Sequence, residues 1–164
     1  MAGEAVRWAT VDDIGELVRL RRLMWSSMGT ASDAADDAAV AAALADGLPA
    51  GRFFAAVVDG DGYLAASGIG MVARKVPGPG NPSGRYGYVQ SMATDERHRR
   101  RGLARLVLAA LMARFAELGV VAVDLHASAM GEPLYRSFGF APGAQPELRW
   151  LAAATGRQPG RAST

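Results

Sequence analysis

The stretch from Tyr86 to Gly119 limits the fold more than any other part of the chain. Tyr86 to Thr94 (YGYVQSMAT) is rich in aromatic and β-branched residues and free of proline, which predicts a strand. From Leu103, apolar residues recur at Leu103, Leu106, Val107, Ala110, Leu111, Phe115 and Leu118, the spacing of a helix with one face on a core. Gly119 stands where a C′ glycine ends such a helix. Between strand and helix lies Arg99 to Ala104 (RRRGLA). The first N–H groups of a helix are unpaired and point along the positive end of its dipole, and a glycine there lets a ligand reach the backbone. This turn suits an anion. Arg97, Arg99, Arg100, Arg101 and Arg105 add charge around it, more than a carboxylate needs and a better match for a diphosphate. A run of arginines is also what a solvated face looks like, so the turn alone leaves two readings open.

At 164 residues the chain is expected to form one domain with a core of useful size, residues 1–152, followed by a flexible tail at 153–164 that is small, polar and punctuated by glycine and proline. Half of the residues are apolar, and the formal net charge is +2. General nucleic-acid binding calls for a broader basic surface with stacking aromatics, so no nucleic-acid partner is expected. The chain has no cysteine, which excludes disulfides, thiolate metal sites and a cysteine nucleophile, and no metal site is assigned. No export signal and no apolar run near 18 residues is visible, so no membrane partner is expected and a cytoplasmic location follows by default.

Taken in order, Ala5 to Ala9 reads as a first strand with Val6 and Trp8 inward. Thr10 begins a capping box with Asp13. Ile14, Leu17, Val18, Arg21, Met24 and Trp25 then follow at helical spacing to an end near Gly29. Ser32 to Asp46 is an alanine-rich second helix capped by Ser32 or Asp33, ending at Gly47 and burying little. Phe53 to Asp59 and Tyr63 to Val72 form a hairpin around Asp59-Gly60-Asp61-Gly62, with Gly68 and Gly70 marking a bend or bulge. Lys75 to Arg85 is a loop, either a lid or disordered. After the central strand and helix, Val120 to Ala127 reads as a strand, Ser128 to Phe138 as a turn and short helix closed by Gly139, and Gln145 to Leu151 as a last strand. The expected fold class is α/β: a mixed, mostly antiparallel twisted sheet with helices on both faces.

Arg99-Arg100-Arg101-Gly102-Leu103-Ala104 resembles the R/Q-x-x-G-x-G/A pattern of the GNAT N-acetyltransferases position by position, and Leu134-Tyr135-Arg136-Ser137-Phe138-Gly139-Phe140 resembles that family's L-Y-x-x-x-G-F segment. The resemblance covers Tyr63 to Pro142 well and the rest in outline. It implies that acetyl-CoA is the cosubstrate and that acetyl passes directly to a primary amine of a small molecule or peptide, without an acyl-enzyme. Carried onto this chain, Met92, Ala93 and Thr94 present backbone groups to the pantetheine arm, and Arg99 through Arg105 cradle the diphosphate chiefly by main-chain N–H groups. An amide at a bulge in the central strand polarises the thioester carbonyl.

Tyr135 matches the tyrosine that protonates the departing thiolate; a phenol is protonated at neutral pH and can donate without tuning. Asp124 matches an acidic position that serves as base in the branch acting on N-terminal alanine. Asp124 and His126 share a face of their strand, and a histidine titrates closest to neutral pH, so either can be the base or a structural polar group, and relayed water could replace both. His98 reads as a surface residue. Trp25 with Met24 and Met28, Tyr88 and His126 are the candidate acceptor contacts, although a Met and Trp stripe is more often core. Ser128-Ala129-Met130 stands where many members of that family carry an asparagine, so the resemblance assigns no coenzyme contact there. Two other readings are kept: a non-catalytic CoA-binding sensor or interaction module, and nucleic-acid binding through Arg97 to Arg105. The sequence is also compatible with a homodimer that pairs sheets between subunits.

Overall fold

The computed structural model describes residues 5–143 and 147–152. Five strands form one open sheet in chain order: β1 (Val6–Trp8), β2 (Phe53–Asp59), β3 (Leu64–Arg74), β4 (Arg85–Thr94) and β5 (Val123–Leu125). The first four pair antiparallel, and β5 runs parallel to β4. Helices α1 (Ile14–Ser27) and α2 (Ala34–Gly47) connect β1 to β2, α3 (Leu103–Glu117) connects β4 to β5, and the short α4 (Glu132–Arg136) follows β5.

The hydrophobic alternation of β2 divides the interior in two. Ala55 and Val57 face Leu17, Leu20 and Leu44 of α1 and α2, while Ala56 and Val58 face Val107, Leu108, Leu111 and Phe115 of α3. Side chains alternate across a strand, so both faces of the sheet are covered and two cores form, one for each layer of helices. The expected class of fold is the one observed.

Local signals behave as their chemistry demands. The Thr10 N–H donates to Asp13 Oδ2 at 2.8 Å, and Asp33 caps α2 by accepting from the Asp36 N–H at 2.9 Å. Helix α3 ends at Gly119 with φ +67°, and the Leu118 carbonyl accepts from Arg85 Nη1 at 2.7 Å, a cation at the negative end of the helix. The 75–84 loop is organised rather than open-ended. Buried Asn81 donates from Nδ2 to the Arg85 carbonyl at 2.9 Å, accepts from Ser83 Oγ at 3.0 Å, and the loop closes through the Lys75 N–H to the Gly84 carbonyl at 2.8 Å.

Four expectations need correction. Residues 147–151 form no strand, so the part of the expected last strand that is described lies unpaired with Leu148, Trp150 and Leu151 exposed; 145 and 146, like the expected tail at 153–164, fall outside the described residues. The edge strand β5 pairs with β4 only, and residues 147–151 add no strand to it. The strand read at Val120 to Ala127 is ordered as a strand only over Val123–Leu125. In α3, Leu106 is 40% exposed and Leu108 is buried, because the stripe runs through 103, 107, 108, 111 and 115. Trp8 stays 45% exposed at the sheet edge, edge-on to Phe54.

Candidate active site

The site forms where β4 and β5 part. Among the described residues their pairing covers Gly87, Tyr88 and Val89 opposite Val123, Asp124 and Leu125, whereas β4 runs on to Thr94 with no strand paired to that end of its edge. A bulge lies in the same stretch. Ser67 pairs with Ala93 and Ile69 with Gln90, so Ser91 and Met92 oppose Gly68 alone, and Ser91 takes φ +57°. Gly68 permits this: a Cβ there would stand 2.4 Å from Met92 Sδ and 2.7 Å from Val107 Cγ1. The bend that the sequence marked at Gly68 is thus on β3, and the extra residue is on β4.

Immediately after β4 the chain makes the arginine turn. Arg100 and Gly102 both have positive φ, +63° and +81°, separated by one residue, and Gly102 is the N-cap of α3. Alternation of this kind turns successive N–H groups toward one concavity. The Arg105 and Leu106 N–H groups bond back to the Gly102 carbonyl, so those of Leu103 and Ala104 precede the helical ladder. Nothing lies within 4 Å of a Cβ built on Gly102, which leaves open space over the backbone at the helix start.

A cleft of about 490 Å³ runs along this surface. It is lined by Met92, Ala93 and Thr94 of β4, by Arg99, Arg100, Gly102, Leu103, Ala104 and Arg105 of the turn and helix, by Met24 of α1 and Met28 just after it, and by Ser128, Met130, Leu134 and Tyr135 beyond β5. The residue set assigned to the coenzyme is therefore brought together, with Arg101 alone outside the lining. A second cavity of about 770 Å³, on the other side of Tyr135, is lined by Lys75, Tyr88, Asp124, Glu132, Arg136 and Glu147 among others. Tyr135 borders both. Its side chain is buried, packs edge-on to Phe140 with ring centroids 6.0 Å apart, and burial raises its pKa above the ordinary phenol value.

The arginine side chains mostly serve the protein itself. Arg97 binds Asp95 through Nε and Nη2, both at 3.0 Å, and covers the Tyr63 ring. Arg105 donates to Ser137 Oγ at 3.0 Å and lies over Phe138, tying α3 to α4. Arg99 reaches Glu96 at 3.6 Å, and Arg101 bonds His98 Nδ1 at 2.9 Å. Arg100, exposed, has no ion pair among the described residues. Of the five arginines, Arg97 and Arg99 are paired with carboxylates, whereas Arg99, Arg100 and Arg105 line the cleft itself.

His98 is not a bare surface residue. Half-buried, it lines the cleft with Nε2 2.8 Å from the Tyr63 hydroxyl and Nδ1 on Arg101, holding the turn against β3. Asp95 anchors the same turn from beneath. It is buried, it accepts from Arg97 and from Arg19 Nη1 of α1 at 2.8 Å, and the Arg97 guanidinium, followed by that of Arg19, holds its carboxyl far below the usual range. Sequence reading missed both roles. The signal lay in the spacing of Asp95, Arg97 and His98, but their partners Arg19 and Tyr63 are distant in the chain.

On the second cavity, Tyr88 and Asp124 lie opposite each other in the β4–β5 register. The Asp124 carboxylate is largely exposed, 3.9 Å from Lys75 Nζ. The Tyr88 hydroxyl bonds His126 Nδ1, and His126 Nε2 stands 3.3 Å from Glu147 and 3.4 Å from Arg149 Nη2. Burial raises the Tyr88 pKa. Trp25 lines neither cavity; its ring packs on the Arg21 guanidinium, 4.5 Å from Cζ to ring centroid. Among the described residues no helix is long and apolar enough to cross a membrane.

Comparison with known proteins gives the same picture. The profile of the acetyltransferase (GNAT) family matches residues 17–140. No curated protein matches the chain. Among solved structures, it is similar to a GCN5-related N-acetyltransferase from Ralstonia eutropha, with 30% identity, a TM-score of 0.77, and 90% of this chain and 99% of that one covered. It is similar in fold to a predicted acetyltransferase crystallised with acetyl-CoA from Clostridium acetobutylicum, with 24% identity, a TM-score of 0.81, and coverage of 88% and 95%. It is also similar in fold to glucosamine-6-phosphate N-acetyltransferase from Arabidopsis thaliana, with 18% identity, a TM-score of 0.70, and coverage of 90% and 98%.

Proposed function

Because this chain belongs to the GNAT acetyltransferase family, we propose that it transfers acetyl from acetyl-CoA to a primary amine, with Tyr135 as general acid. The observation that carries the reading is the position of Tyr135, whose one ring borders both the cleft beside Gly102 and the cavity holding Asp124 and Tyr88. A coenzyme laid along the first and an amine entering from the second would meet at that ring.

When bound, the coenzyme supplies an acetyl group as a thioester. The main-chain N–H groups of Leu103 and Ala104 hold its diphosphate, and Arg100 and Arg105 supply positive charge beside it. Met92, Ala93 and Thr94 offer the unpaired edge of β4 to the amide groups of the pantetheine arm, as an added strand would use it. At the bulge, a backbone N–H polarises the carbonyl, an effect that can lower a barrier by about 3 kcal/mol. Tyr135 keeps a proton at Oη over the whole neutral range, since burial pushes its pKa up, and delivers it to the departing sulfur.

The amine must lose a proton before or during attack. Asp124 lines the amine's cavity and takes that role in this reading, attracting the ammonium form as well as accepting its proton. The chain from Tyr88 through His126 to Glu147 supports a second route, in which the Tyr88 hydroxyl passes the proton to His126 Nδ1 and Glu147 steadies the imidazolium. The slope of the acid limb of kcat/KM separates them: Asp124→Asn flattens it if the carboxylate is the base, His126→Gln if the imidazole is.

The test is to mix the protein with acetyl-CoA and a panel of amines and follow free thiol. Release that depends on the amine supports transfer. Tight CoA binding with no release for any amine favours the sensor reading instead.

A further inference from the structure

Helix α1 carries three arginines in four residues, and two of them are matched by carboxylates. Arg19 binds Glu16 at 2.8 Å and Asp95 at 2.8 Å; Arg22 pairs with Asp37. Arg21 differs. Among the described residues no carboxylate pairs with it, and burial alone moves its pKa, downward. Its Nη1 donates to Ser91 Oγ, its Cζ lies 4.5 Å from the centroid of the Trp25 ring, and its Nε is buried with no hydrogen-bond partner. A half-buried cation held this way is a poor source of stability, because an apolar side chain of similar volume would fill the same space without an uncompensated charge. What Arg21 does for the molecule lies in what it holds.

It holds the bulge. Ser91 is buried and, with Arg100, is one of two described non-glycine residues at positive φ, a conformation in which Cβ crowds the following carbonyl. The peptide planes before and after it turn with its φ and ψ, so this one residue sets where the N–H groups of the bulge point. Its hydroxyl is taken by Arg21, and four residues on, Arg19 of the same helix takes Asp95. Met92, Ala93 and Thr94, which line the coenzyme cleft, are thereby pinned from α1 at both flanks. We propose that Arg21 is a positioning residue for the transfer: through the Ser91 hydroxyl it keeps a bulge N–H aimed at the thioester carbonyl. This rests on the transferase reading above. Arg21 itself lines neither cavity, so its influence runs through Ser91 and not through contact with coenzyme or amine. A guanidinium suits the task, since its planar head is fixed on the Trp25 ring while Nη1 reaches Ser91 in a set direction.

The experiment compares wild type with Arg21→Met, which keeps the bulk on Trp25 and loses the donor, and Arg21→Lys, which keeps a cationic donor. Thiol release gives kcat, calorimetry gives the Kd of acetyl-CoA, and thermal unfolding gives Tm. The infrared stretch of bound acetyl-CoA, isotope-labelled at the thioester carbonyl, reports polarisation directly, because it falls as hydrogen bonds to that oxygen strengthen. Arg21→Met is expected to lower kcat at least about tenfold while the Kd stays within about twofold. Its carbonyl band should move back toward that of free acetyl-CoA, and its Tm should equal or exceed that of wild type, since the uncompensated charge is gone. Arg21→Lys should recover part of kcat. An unchanged kcat in Arg21→Met overturns the proposal. So does a joint fall of kcat, affinity and Tm in both variants, which would make Arg21 a support of the fold alone. If wild type turns over no amine but the band still depends on Arg21, the positioning role stands and the transferase reading fails. If bound acetyl-CoA gives the same band in wild type and Arg21→Met, the positioning role fails whether or not turnover is seen, and if wild type binds no acetyl-CoA, both fall.

Discussion

The two sides of Tyr135 are built from different materials. In the proposed transferase reading, the groups that serve the coenzyme are main chain: the left-handed turn at Arg100 and Gly102, the first N–H groups of α3, and the edge of β4 left open among the described residues. On the amine side, in the same reading, they are side chains from separate elements, Asp124 and Tyr88 facing each other across two strands and Lys75 from the loop after β3. Backbone geometry depends on a few residues such as glycine and survives most substitutions around it. A pocket made of side chains changes whenever one of them does. One fold can therefore keep a donor and exchange acceptors, and the coenzyme side is the one a short motif can encode.

The sharpest way to break this comparison is at the shared wall. Tyr135→Phe is expected to lower kcat about a hundredfold or more while the Kd for acetyl-CoA, read by calorimetry, changes little, because the ring stays and only the proton donor goes. An equal loss in binding would mean that the residue is merely part of the cleft. Next comes the turn. Gly102→Val forces a β-branched residue to φ +81° beside the diphosphate cradle, and about a thirtyfold weaker affinity for CoA is expected with the fold retained by circular dichroism.

Asp95 braces the coenzyme side, since it ties Arg97 of the turn to Arg19 of α1. Asp95→Asn is expected to cost about 2 kcal/mol in urea unfolding at neutral pH. Its carboxyl is held below its unfolded value, so the stabilisation is complete above about pH 4, where the unfolded group is also ionised, and is lost as pH falls through the lower folded value. The variant's stability should accordingly fall less steeply than wild type's below pH 4. The smallest effect sharpens the claim about main chain. Arg99→Ala and Arg101→Ala are each expected to change the Kd for CoA by less than about fivefold, the scale of a single exposed charge. A loss of a hundredfold at either would return the diphosphate to the arginine side chains.

What the sequence disclosed follows the same division. The strand, turn and helix from Tyr86 to Gly119 could be read because each signal is local: strand propensity, a glycine at the helix start, a periodic stripe, a terminal glycine. Tyr135 could be read from its own heptapeptide. The tie of Asp95 to Arg19 and of His98 to Tyr63 could not, since each joins residues tens of positions apart. Arg21 did leave a trace, as a charged residue in an otherwise apolar stripe, but its lack of a carboxylate partner is visible only once Ser91 and Trp25 are placed around it. The strand expected at 145–151 misled for a related reason: alternation says that a segment could join a sheet, and nothing local says whether an edge awaits it.

The extra residue at Ser91 has one more consequence. Val89 and Met92 both face α3, and Ala93 faces α1, so the strand changes phase between them. Every position from Met92 to the arginine turn depends on that slip. Deleting one residue here would rotate the lip of the cleft by half a turn and aim the cofactor-facing side chains into the opposite core. Substitutions at Ser91 can be absorbed by its neighbours; a change of length cannot.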